Sequence, residues 1–375
     1  MSVGLYIHVP FCRTRCHFCA FYLQIHRHDK ALAYLEALRR EIHLHTSLNS
    51  FGGQCPSTLY FGGGTPTTLS PDQLDAIVAR VRTCFGLQEG AEITLEAHPD
   101  TVTEEGLRHL VQTGCNRISF GAQSMDEEEL IKIGRRTSAK ATSRAVEWAR
   151  AAGFSNINLD LIYGLPGQTM ESWIATLGDA LILEPTHLSC YALTVEEDTR
   201  LAVDLRRGDR TEPDALLQNA MEDEAALRLT KAGFQRYEIS NYCRPGYACR
   251  HNLLYWQDGD YLGLGPSAQS YLDGVRFGNV EDLAAYQKAL EKGQLPTGEE
   301  EKLSLRQRQR EALVFGLRLT EGVDLQALGK QSQDSGGKEA LYCLTQQGFL
   351  EERSGRIKLT ALGRRYADSV AVSLL

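Results

Sequence analysis

Three cysteines near the start of the chain have a spacing that suits an iron–sulfur cluster. Cys12, Cys16 and Cys19 follow one another in the pattern C-x3-C-x2-C. Cysteine thiolates bind the irons of a [4Fe–4S] cluster, so three thiolates leave one of the four irons without a protein ligand. An iron with an open position can bind a further molecule. The spacing therefore predicts a cluster that takes part in chemistry rather than one that only carries electrons.

Two other uses of these cysteines fit the sequence less well. A structural zinc site takes four ligands, commonly from two CxxC pairs, and the chain has no second pair of this kind. An electron-carrying ferredoxin site has a fourth cysteine nearby, where this chain has Phe21. The remaining seven cysteines are scattered, and we expect them to be reduced thiols that pack as small apolar side chains. Only Cys243 and Cys249 lie close enough together to leave a second metal site open.

The elements around the cysteines must position them. Up to about residue 240, short apolar runs alternate with longer segments whose apolar residues recur at helical spacing. At least six strands in such an order predict βαβ units, a parallel sheet and an α/β fold that closes into a partial barrel. Functional side chains of barrels collect at the carboxyl ends of the strands. The cysteines fit this rule because they directly follow the first predicted strand, Leu5–Val9.

The rest of the chain has a different pattern. We expect residues 1–240 to form the barrel, residues 241–298 a loop-rich extension, and residues 299–375 a small α+β domain. The predicted elements of that domain are helices at Leu303–Leu317, Leu325–Leu328 and Lys338–Gln347 and a hairpin over Phe349–Leu359. Helices followed by a hairpin resemble a winged-helix module. The basic run Lys302–Arg310 is interpreted as a solvated helix face rather than as a contact with DNA.

Polar residues near the ends of the predicted strands are candidates for binding a ligand. The glycine-rich run Gly62–Pro66 follows the second strand, and glycines let a backbone approach a ligand closely. Glu96 ends the third strand, and Gln123 follows the fourth. Asp160 lies inside an apolar strand, where a carboxylate is costly unless it is paired or binds a ligand. Arg135 can contact a carboxylate through two hydrogen bonds.

Composition and charge limit the partners that we expect. The chain has 375 residues and a formal net charge of −8, which makes it a poor general electrostatic partner for nucleic acid. The segment before Cys12 is too short to be a signal peptide. No stretch of the sequence is long and apolar enough to span a membrane. We therefore expect a cytoplasmic protein.

Several motifs together resemble the radical S-adenosylmethionine family, and within it the branch of oxygen-independent coproporphyrinogen III oxidase. Besides the cysteine spacing, these motifs are Tyr6–Cys12, Gly62–Pro66, Arg117–Ser124, Leu161–Thr169 and Tyr261–Gly265. The resemblance implies a partial (β/α)6 barrel that holds a [4Fe–4S] cluster, with S-adenosylmethionine on the open iron. It further implies that this S-adenosylmethionine is contacted by Tyr6, Gly63 and Glu96. The positions that match a second S-adenosylmethionine site are Phe18, Gly64, Thr65, Gln123, Arg135 and Asp160.

Within this branch, the HNxxYW motif in Arg250–Trp256 resembles the HemW-type haem chaperones. The resemblance implies a haem site, with His251 as the axial ligand and aromatic rings for the porphyrin face. The implied haem-binding residues are His251, Asn252, Tyr255 and Trp256. Two features differ from the oxidase, which has a cysteine at the position of Phe21 and a substantial segment ahead of the cluster. The chain also has Gln269 where the family usually has a histidine.

The preferred interpretation is a chaperone that binds haem and delivers it to target proteins, chiefly respiratory ones, without coproporphyrinogen oxidase activity. The expected partners are haem, haem-acceptor proteins and an electron donor, but not nucleic acid. A homodimer and a transient membrane association stay open. One alternative is an oxidative decarboxylase of the coproporphyrinogen oxidase type, and a second is a radical enzyme acting on RNA or another small molecule. The sequence leaves open whether S-adenosylmethionine is cleaved in function.

Overall fold

The computed structural model describes residues 3–326 and 335–375. The strands are β1 Val3–Val9, β2 Phe11–Cys12, β3 Gln24–Ile25, β4 Thr58–Gly63, β5 Glu92–Ala97, β6 Arg117–Gln123, β7 Asn156–Tyr163, β8 His187–Ala192, β9 Gln235–Arg236, β10 Asn241–Cys243, β11 Asp260–Leu264, β12 Gln269–Leu272, β13 Val275–Asn279, β14 Thr297–Lys302, β15 Val323–Asp324, β16 Leu350–Arg353 and β17 Arg356–Leu359. The helices are α1 His28–Ser47, α2 Pro71–Cys84, α3 Glu104–Gln112, α4 Glu127–Lys132, α5 Ala139–Ala152, α6 Met170–Ile182, α7 Arg200–Arg206, α8 Ala215–Lys231, α9 Arg250–Trp256, α10 Leu283–Glu291, α11 Leu305–Gly316, α12 Ser335–Gln346, α13 Ala361–Arg365 and α14 Ala367–Leu374.

One large sheet organises the molecule. Its strand order is β14-β13-β12-β11-β1-β4-β5-β6-β7-β8-β10-β9. The six neighbours β1, β4, β5, β6, β7 and β8 pair in parallel, and helices connect them. This arrangement confirms the predicted α/β fold and its partial (β/α)6 barrel. The sheet continues past the barrel because β11 pairs in parallel with the other side of β1.

The alternation of side chains along the strands explains why polar groups lie inside the barrel. In β6, Ile118, Phe120 and Ala122 are fully buried in the main apolar core. The residues between them, Arg117, Ser119, Gly121 and Gln123, line an interior cavity instead. Successive strand side chains point to opposite faces of a sheet. The polar half of each strand pattern therefore lines the barrel interior.

Two helices of the barrel begin directly after local capping residues. Ser70 before α2 and Ser138 before α5 accept hydrogen bonds from the backbone of the first turn. Residues 241–298 differ from the expected loop-rich extension, because they form β10 to β14 together with α9 and α10. The run Tyr237–Ser240 alone predicts a short strand, but the strand forms just after it, at β10. Most of these short strands exist because they extend the edges of the large sheet, which no local pattern reveals.

The C-terminal segment has a second, smaller apolar core, which includes Leu313, Leu341 and Leu350. Three antiparallel strands in the order β15-β17-β16 pack with α11, α12 and α14. The predicted hairpin is present, and both turn residues, Ser354 and Gly355, have positive φ, as a tight hairpin turn requires. The helix predicted at Leu325–Leu328 lies partly outside the described residues. Within the described part of the chain, no helix has the length and apolar character needed to cross a membrane.

Candidate functional site

The three predicted cluster cysteines line one cavity of about 700 Å³. Cys12 ends β2, and Cys16 and Cys19 lie in the loop that follows it, at the carboxyl end of the barrel. The Thr65 hydroxyl lies 3.3 Å from Cys12 Sγ. The Arg135 guanidinium donates to Cys16 Sγ at 3.7 Å. Two of the three sulfurs therefore have polar partners that stabilise a negatively charged thiolate.

The described residues form no ready-made site for a single metal ion. Within residues 3–326 and 335–375, no group of three His, Cys, Asp or Glu side chains is arranged to hold one metal ion. Binding of a [4Fe–4S] cluster by Cys12, Cys16 and Cys19, in which each of three irons takes one thiolate, stays a prediction.

Burial favours the protonated thiols of Cys12 and Cys19. Burial raises the pKa of Cys12 to about 11, and the Thr65 hydroxyl opposes this rise. Burial likewise raises the pKa of Cys19, against a backbone hydrogen bond from Phe21. A thiol must lose its proton to bind a metal, so binding here is coupled to proton release.

The structure brings eight of the nine residues predicted to bind S-adenosylmethionine to the same cavity. They are Phe18, Gly63, Gly64, Thr65, Glu96, Gln123, Arg135 and Asp160. The ninth, Tyr6, lies outside the cavity lining. Its ring stacks on Tyr60 with the centroids 6.1 Å apart, and its hydroxyl lies 3.2 Å from His8 Nδ1. Contact between Tyr6 and this ligand stays a prediction.

Two pieces of unusual backbone shape the wall of the cavity. Gly63 has a φ of +102°, and a Cβ atom there would lie 2.6 Å from the ring of His8. A Cβ atom on Gly64 would lie 2.7 Å from the carbonyl oxygen of Phe11, so the turn needs glycine to pass the cysteine loop. Gln123 has a φ of +67° where the pairing of β6 with β7 changes register. Such strained, bulged positions cluster at functional sites.

Two of the cavity carboxylates, Glu96 and Asp160, accept hydrogen bonds from neutral donors. Glu96 Oε1 accepts a hydrogen bond from the Tyr60 hydroxyl at 2.7 Å, and burial raises the pKa of Glu96 to about 7. Asp160 accepts hydrogen bonds from Ser119 at 2.9 Å and Asn158 at 2.8 Å, and burial raises its pKa as well. Neither carboxylate forms a salt bridge with a described residue, although the charge of Arg117 opposes the rise in both pKa values. A ligand with a positive charge would therefore favour their ionised forms.

The predicted haem ligand His251 lies on α9, which packs against β1, β4 and β11. Its side chain is 1% exposed. Its Nδ1 lies 2.7 Å from the Thr58 hydroxyl, and its Nε2 lies 2.9 Å from the Tyr255 hydroxyl. The ring also stacks on Tyr60, with the centroids 5.0 Å apart, and burial lowers the pKa of His251 to about 3. The imidazole is therefore neutral, and both of its nitrogens have protein partners.

The other three motif residues do not share one environment. Asn252 lines the large cavity beside the floor of the barrel. Tyr255 and Trp256 line a separate cavity of about 190 Å³ that reaches α11. The Arg318 guanidinium lies 4.5 Å from the centroid of the Trp256 ring. Gln269, at the position where the family usually has histidine, is exposed at the start of β12.

Sequence reasoning missed several residues of the cavity lining. Tyr60, Arg117, Asn158 and Ser189 lie at the lower, amino-terminal part of their strands and line the same cavity as the cysteines. The signal was available in β6, where polar residues alternate with apolar ones. The rule that barrel sites collect at the carboxyl ends of the strands does not point to these residues.

Comparisons with protein families identify two regions of the chain. Residues 6–180 match the model of the radical SAM superfamily. Residues 303–366 match the model of the HemN C-terminal domain. The first region contains all three cysteines and the strands β1 to β7.

Similar proteins cover almost the whole chain. The protein named heme chaperone HemW of Mycobacterium tuberculosis is 35% identical over 99% of this chain and 94% of its own length. HemW of Bacillus subtilis is 32% identical over 97% of each chain, and HemW of Escherichia coli is 38% identical over 71% of this chain and 69% of its own. Among solved structures, coproporphyrinogen III oxidase (HemN) from Escherichia coli matches with a TM-score of 0.86 and 27% identity, over 100% of this chain and 90% of that one.

Proposed function

Because the chain belongs to the radical SAM superfamily, and within it to the HemW family, we propose that it binds haem and delivers it to haem-requiring proteins. The observation that carries this proposal is similarity over nearly the full length of relatives that are named heme chaperones. We include in the proposal a cytoplasmic place of action, an external electron donor and respiratory proteins among the acceptors. The net charge of −8 speaks against a radical enzyme that acts on RNA.

In this proposal Cys12, Cys16 and Cys19 bind a [4Fe–4S] cluster, and S-adenosylmethionine occupies the adjoining cavity. When bound, the cluster supplies an electron for cleavage of S-adenosylmethionine. Thr65 and Arg135 hold the sulfurs of Cys12 and Cys16 through the contacts described above. Glu96 and Asp160 accept hydrogen bonds from positively charged or polar groups of the ligand. Phe18, which packs against a small apolar cluster around Leu130 and Ile162, shields one side of the cavity from water.

His251 is the proposed axial ligand of haem, and its present hydrogen bonds show which contact must break before it can bind iron. The Nε2 atom must leave the Tyr255 hydroxyl before it can bind iron. The hydrogen bond of Nδ1 with Thr58 can stay, and such a bond orients a ligating imidazole. Asn252, the next residue on α9, already lines the large cavity.

Haem titration of the anaerobically reconstituted protein tests this proposal. We expect saturable haem binding by the wild type and at least tenfold weaker binding by His251→Ala, because the iron loses its axial ligand. Tyr255→Phe removes only the hydroxyl on Nε2 and is the matched control. It is expected to bind haem at least as tightly as the wild type, since Nε2 is then free. Absorbance in the haem region follows binding, and circular dichroism confirms that each variant is folded.

Two results would contradict these assignments. If the wild type shows no saturable haem binding, the chaperone proposal is wrong. If His251→Ala is folded and binds haem as the wild type does, the ligand is another residue.

The second candidate function is oxidative decarboxylation of coproporphyrinogen III. It is favoured by the structural match to that oxidase over the whole of this chain. It is weakened by Phe21, which stands where the oxidase has a cysteine. Conversion of coproporphyrinogen III with consumption of S-adenosylmethionine under strongly reducing conditions would support it. Absence of turnover in reconstituted protein that binds haem would eliminate it.

A further inference from the structure

Arg117 is a buried arginine whose hydrogen-bonding capacity the described residues do not fully use. Its side chain is 2% exposed and lines the large cavity. Its Nε atom is buried without a hydrogen-bond partner, and its charge interacts with the Glu92 carboxylate of β5. Arginine has five N–H donors and stays protonated in proteins. Buried polar groups nearly always have partners, so an Nε–H without a partner on a cavity wall is available to a ligand.

The position of Arg117 separates it from the residues around the cluster. It is the first residue of β6, whereas Gln123, near the cysteines, is the last. Six residues of strand span about 20 Å, so Arg117 lies at the floor of the barrel. Its register partner on β5, Thr94, also has a buried hydroxyl without a partner. Asn252 of α9 lines the cavity, so the floor carries donors from three elements.

The chemistry of the floor selects a carboxylate. A guanidinium binds carboxylates and phosphates through paired hydrogen bonds. Of the acidic side chains of the cavity, Glu96 and Asp160 interact with the charge of Arg117, and this local negative charge disfavours a doubly charged phosphate more than a singly charged carboxylate. Amide and hydroxyl groups such as those of Asn252 and Ser189 can complete the hydrogen bonding of a carboxylate oxygen.

We propose that Arg117 binds a carboxylate group of the ligand that fills the barrel, at a subsite on the cavity floor beside Asn252. Two ligands of the proposed function carry this group: haem has two propionates, and an S-adenosylmethionine at the second implied site has an amino-acid carboxylate that is not engaged by the open iron. The inference rests on the proposed function for the identity of these ligands. The site itself is inferred from the buried Nε atom of Arg117, which has no hydrogen-bond partner.

Matched ligands with and without the carboxylate test the subsite. Reconstituted wild type and Arg117→Met are titrated with haem and with its dimethyl ester, in which both propionates are blocked. They are also titrated with S-adenosylmethionine and its decarboxylated analogue. If a propionate contacts Arg117, the variant binds haem about 10- to 100-fold more weakly than the wild type does. The variant and the wild type then bind the dimethyl ester with the same affinity. If the amino-acid carboxylate lies there, the same difference appears between S-adenosylmethionine and its analogue.

Two variants control for charge and for folding. Arg207→Met removes an exposed arginine that does not line this cavity, and it is expected to leave all four affinities unchanged. Arg117→Lys keeps a positive charge and is expected to recover part of the lost affinity. Circular dichroism of each variant shows that the fold is intact.

The outcomes separate this inference from the proposed function. The carboxylate subsite is wrong if Arg117→Met is folded and binds haem and S-adenosylmethionine as tightly as the wild type does. It is also wrong if the variant loses the same affinity for each ligand and for its analogue without the free carboxylate. If the wild type does not bind haem, the chaperone proposal fails, and the S-adenosylmethionine pair alone decides on Arg117. Binding of neither ligand by the wild type would overturn both.

Discussion

Glu41, on α1, is a fully buried carboxylate that sequence reasoning did not single out. It accepts hydrogen bonds from the Gly265 N–H at 2.8 Å and the Tyr286 hydroxyl at 2.6 Å, and a third from Asn279. No described cation pairs with it, and burial raises the pKa of Glu41 to about 7. A glutamate in a helix pattern is expected to face solvent. Its partners are more than 200 residues away along the chain, so only the folded structure reveals its role.

We expect the stability difference between the wild type and Glu41→Gln to depend on pH. In the unfolded chain the Glu41 carboxyl has its ordinary pKa of 4.5, whereas in the folded protein its pKa is raised to about 7. The wild type therefore loses stability relative to the variant as pH rises from 4.5 to 7, by about 3 kcal/mol in total. Urea unfolding at pH 4.5, 6 and 8 measures the difference.

The exposed Glu300→Gln on β14 is the control, and its difference from the wild type is expected to change little over this range. A difference for Glu41→Gln that stays constant from pH 4.5 to 8 would show that folding does not raise the pKa of Glu41.

At the scale of elements, α9 shows how a distant residue can place a motif. The Glu92 carboxylate, on β5, accepts hydrogen bonds from the backbone N–H groups of Arg250 and His251, both at 3.1 Å. A carboxylate at a helix N-terminus accepts hydrogen bonds from the free N–H groups and interacts favourably with the helix dipole. Sequence reasoning expected loops here, because Glu92 is separated from α9 by more than 150 residues.

Removal of this cap is expected to loosen α9. Glu92→Ala leaves two buried N–H groups without partners, so the free energy of unfolding should fall by about 2–4 kcal/mol. Hydrogen exchange at the amides of Arg250 and His251 should become faster, and mass spectrometry after peptide digestion detects this change. The exposed neighbour Glu89→Ala is the control and should leave both quantities nearly unchanged. Unchanged exchange in Glu92→Ala would mean that α9 is held by its packing alone.

At the scale of the whole molecule, the haem motif also joins the barrel to the C-terminal domain. Trp256 is the last residue of α9 and contacts that domain, with the Arg318 guanidinium over its ring. Phe315 of α11 lines the small cavity beside it. A second contact lies elsewhere, where Arg365 donates two hydrogen bonds to Asp223 of α8, both at 2.6 Å. The first contact combines an aromatic face with a cation, while the second is an exposed ion pair, which usually adds little.

Trp256→Ala is expected to weaken the junction between the barrel and the C-terminal domain. The partly buried ring leaves a void and the Arg318 contact is lost, so the free energy of unfolding should fall by about 2–3 kcal/mol. Trp256→Phe keeps an aromatic face and should cost about 1 kcal/mol, because the indole N–H has no partner among the described residues. Denaturant unfolding measures both. Equal losses in the two variants would mean that the ring face contributes nothing to the junction.

Local patterns in the sequence determined the barrel and the cluster cysteines. Strand alternation and helical spacing act over a few residues, so the six parallel strands of the barrel and helices such as α2 and α5 could be predicted. The spacing of Cys12, Cys16 and Cys19 is equally local. The glycine turn Gly62–Gly64 and the acidic strand residues Glu96 and Asp160 were recognised for the same reason, and all of them lie near one another at the barrel.

The tertiary structure alone decided what surrounds the predicted residues. The His251 ring forms a hydrogen bond with Thr58, which lies 193 residues earlier in the chain. Contacts of this kind make His251 a buried, neutral imidazole rather than a loop histidine. The sequence shows Arg117 only as part of a motif. The folded structure shows that its Nε atom is buried without a hydrogen-bond partner. Burial and pairing depend on which distant segments meet. A sequence pattern reports only what neighbouring residues do, and for that reason it could predict the barrel but not the floor of its cavity.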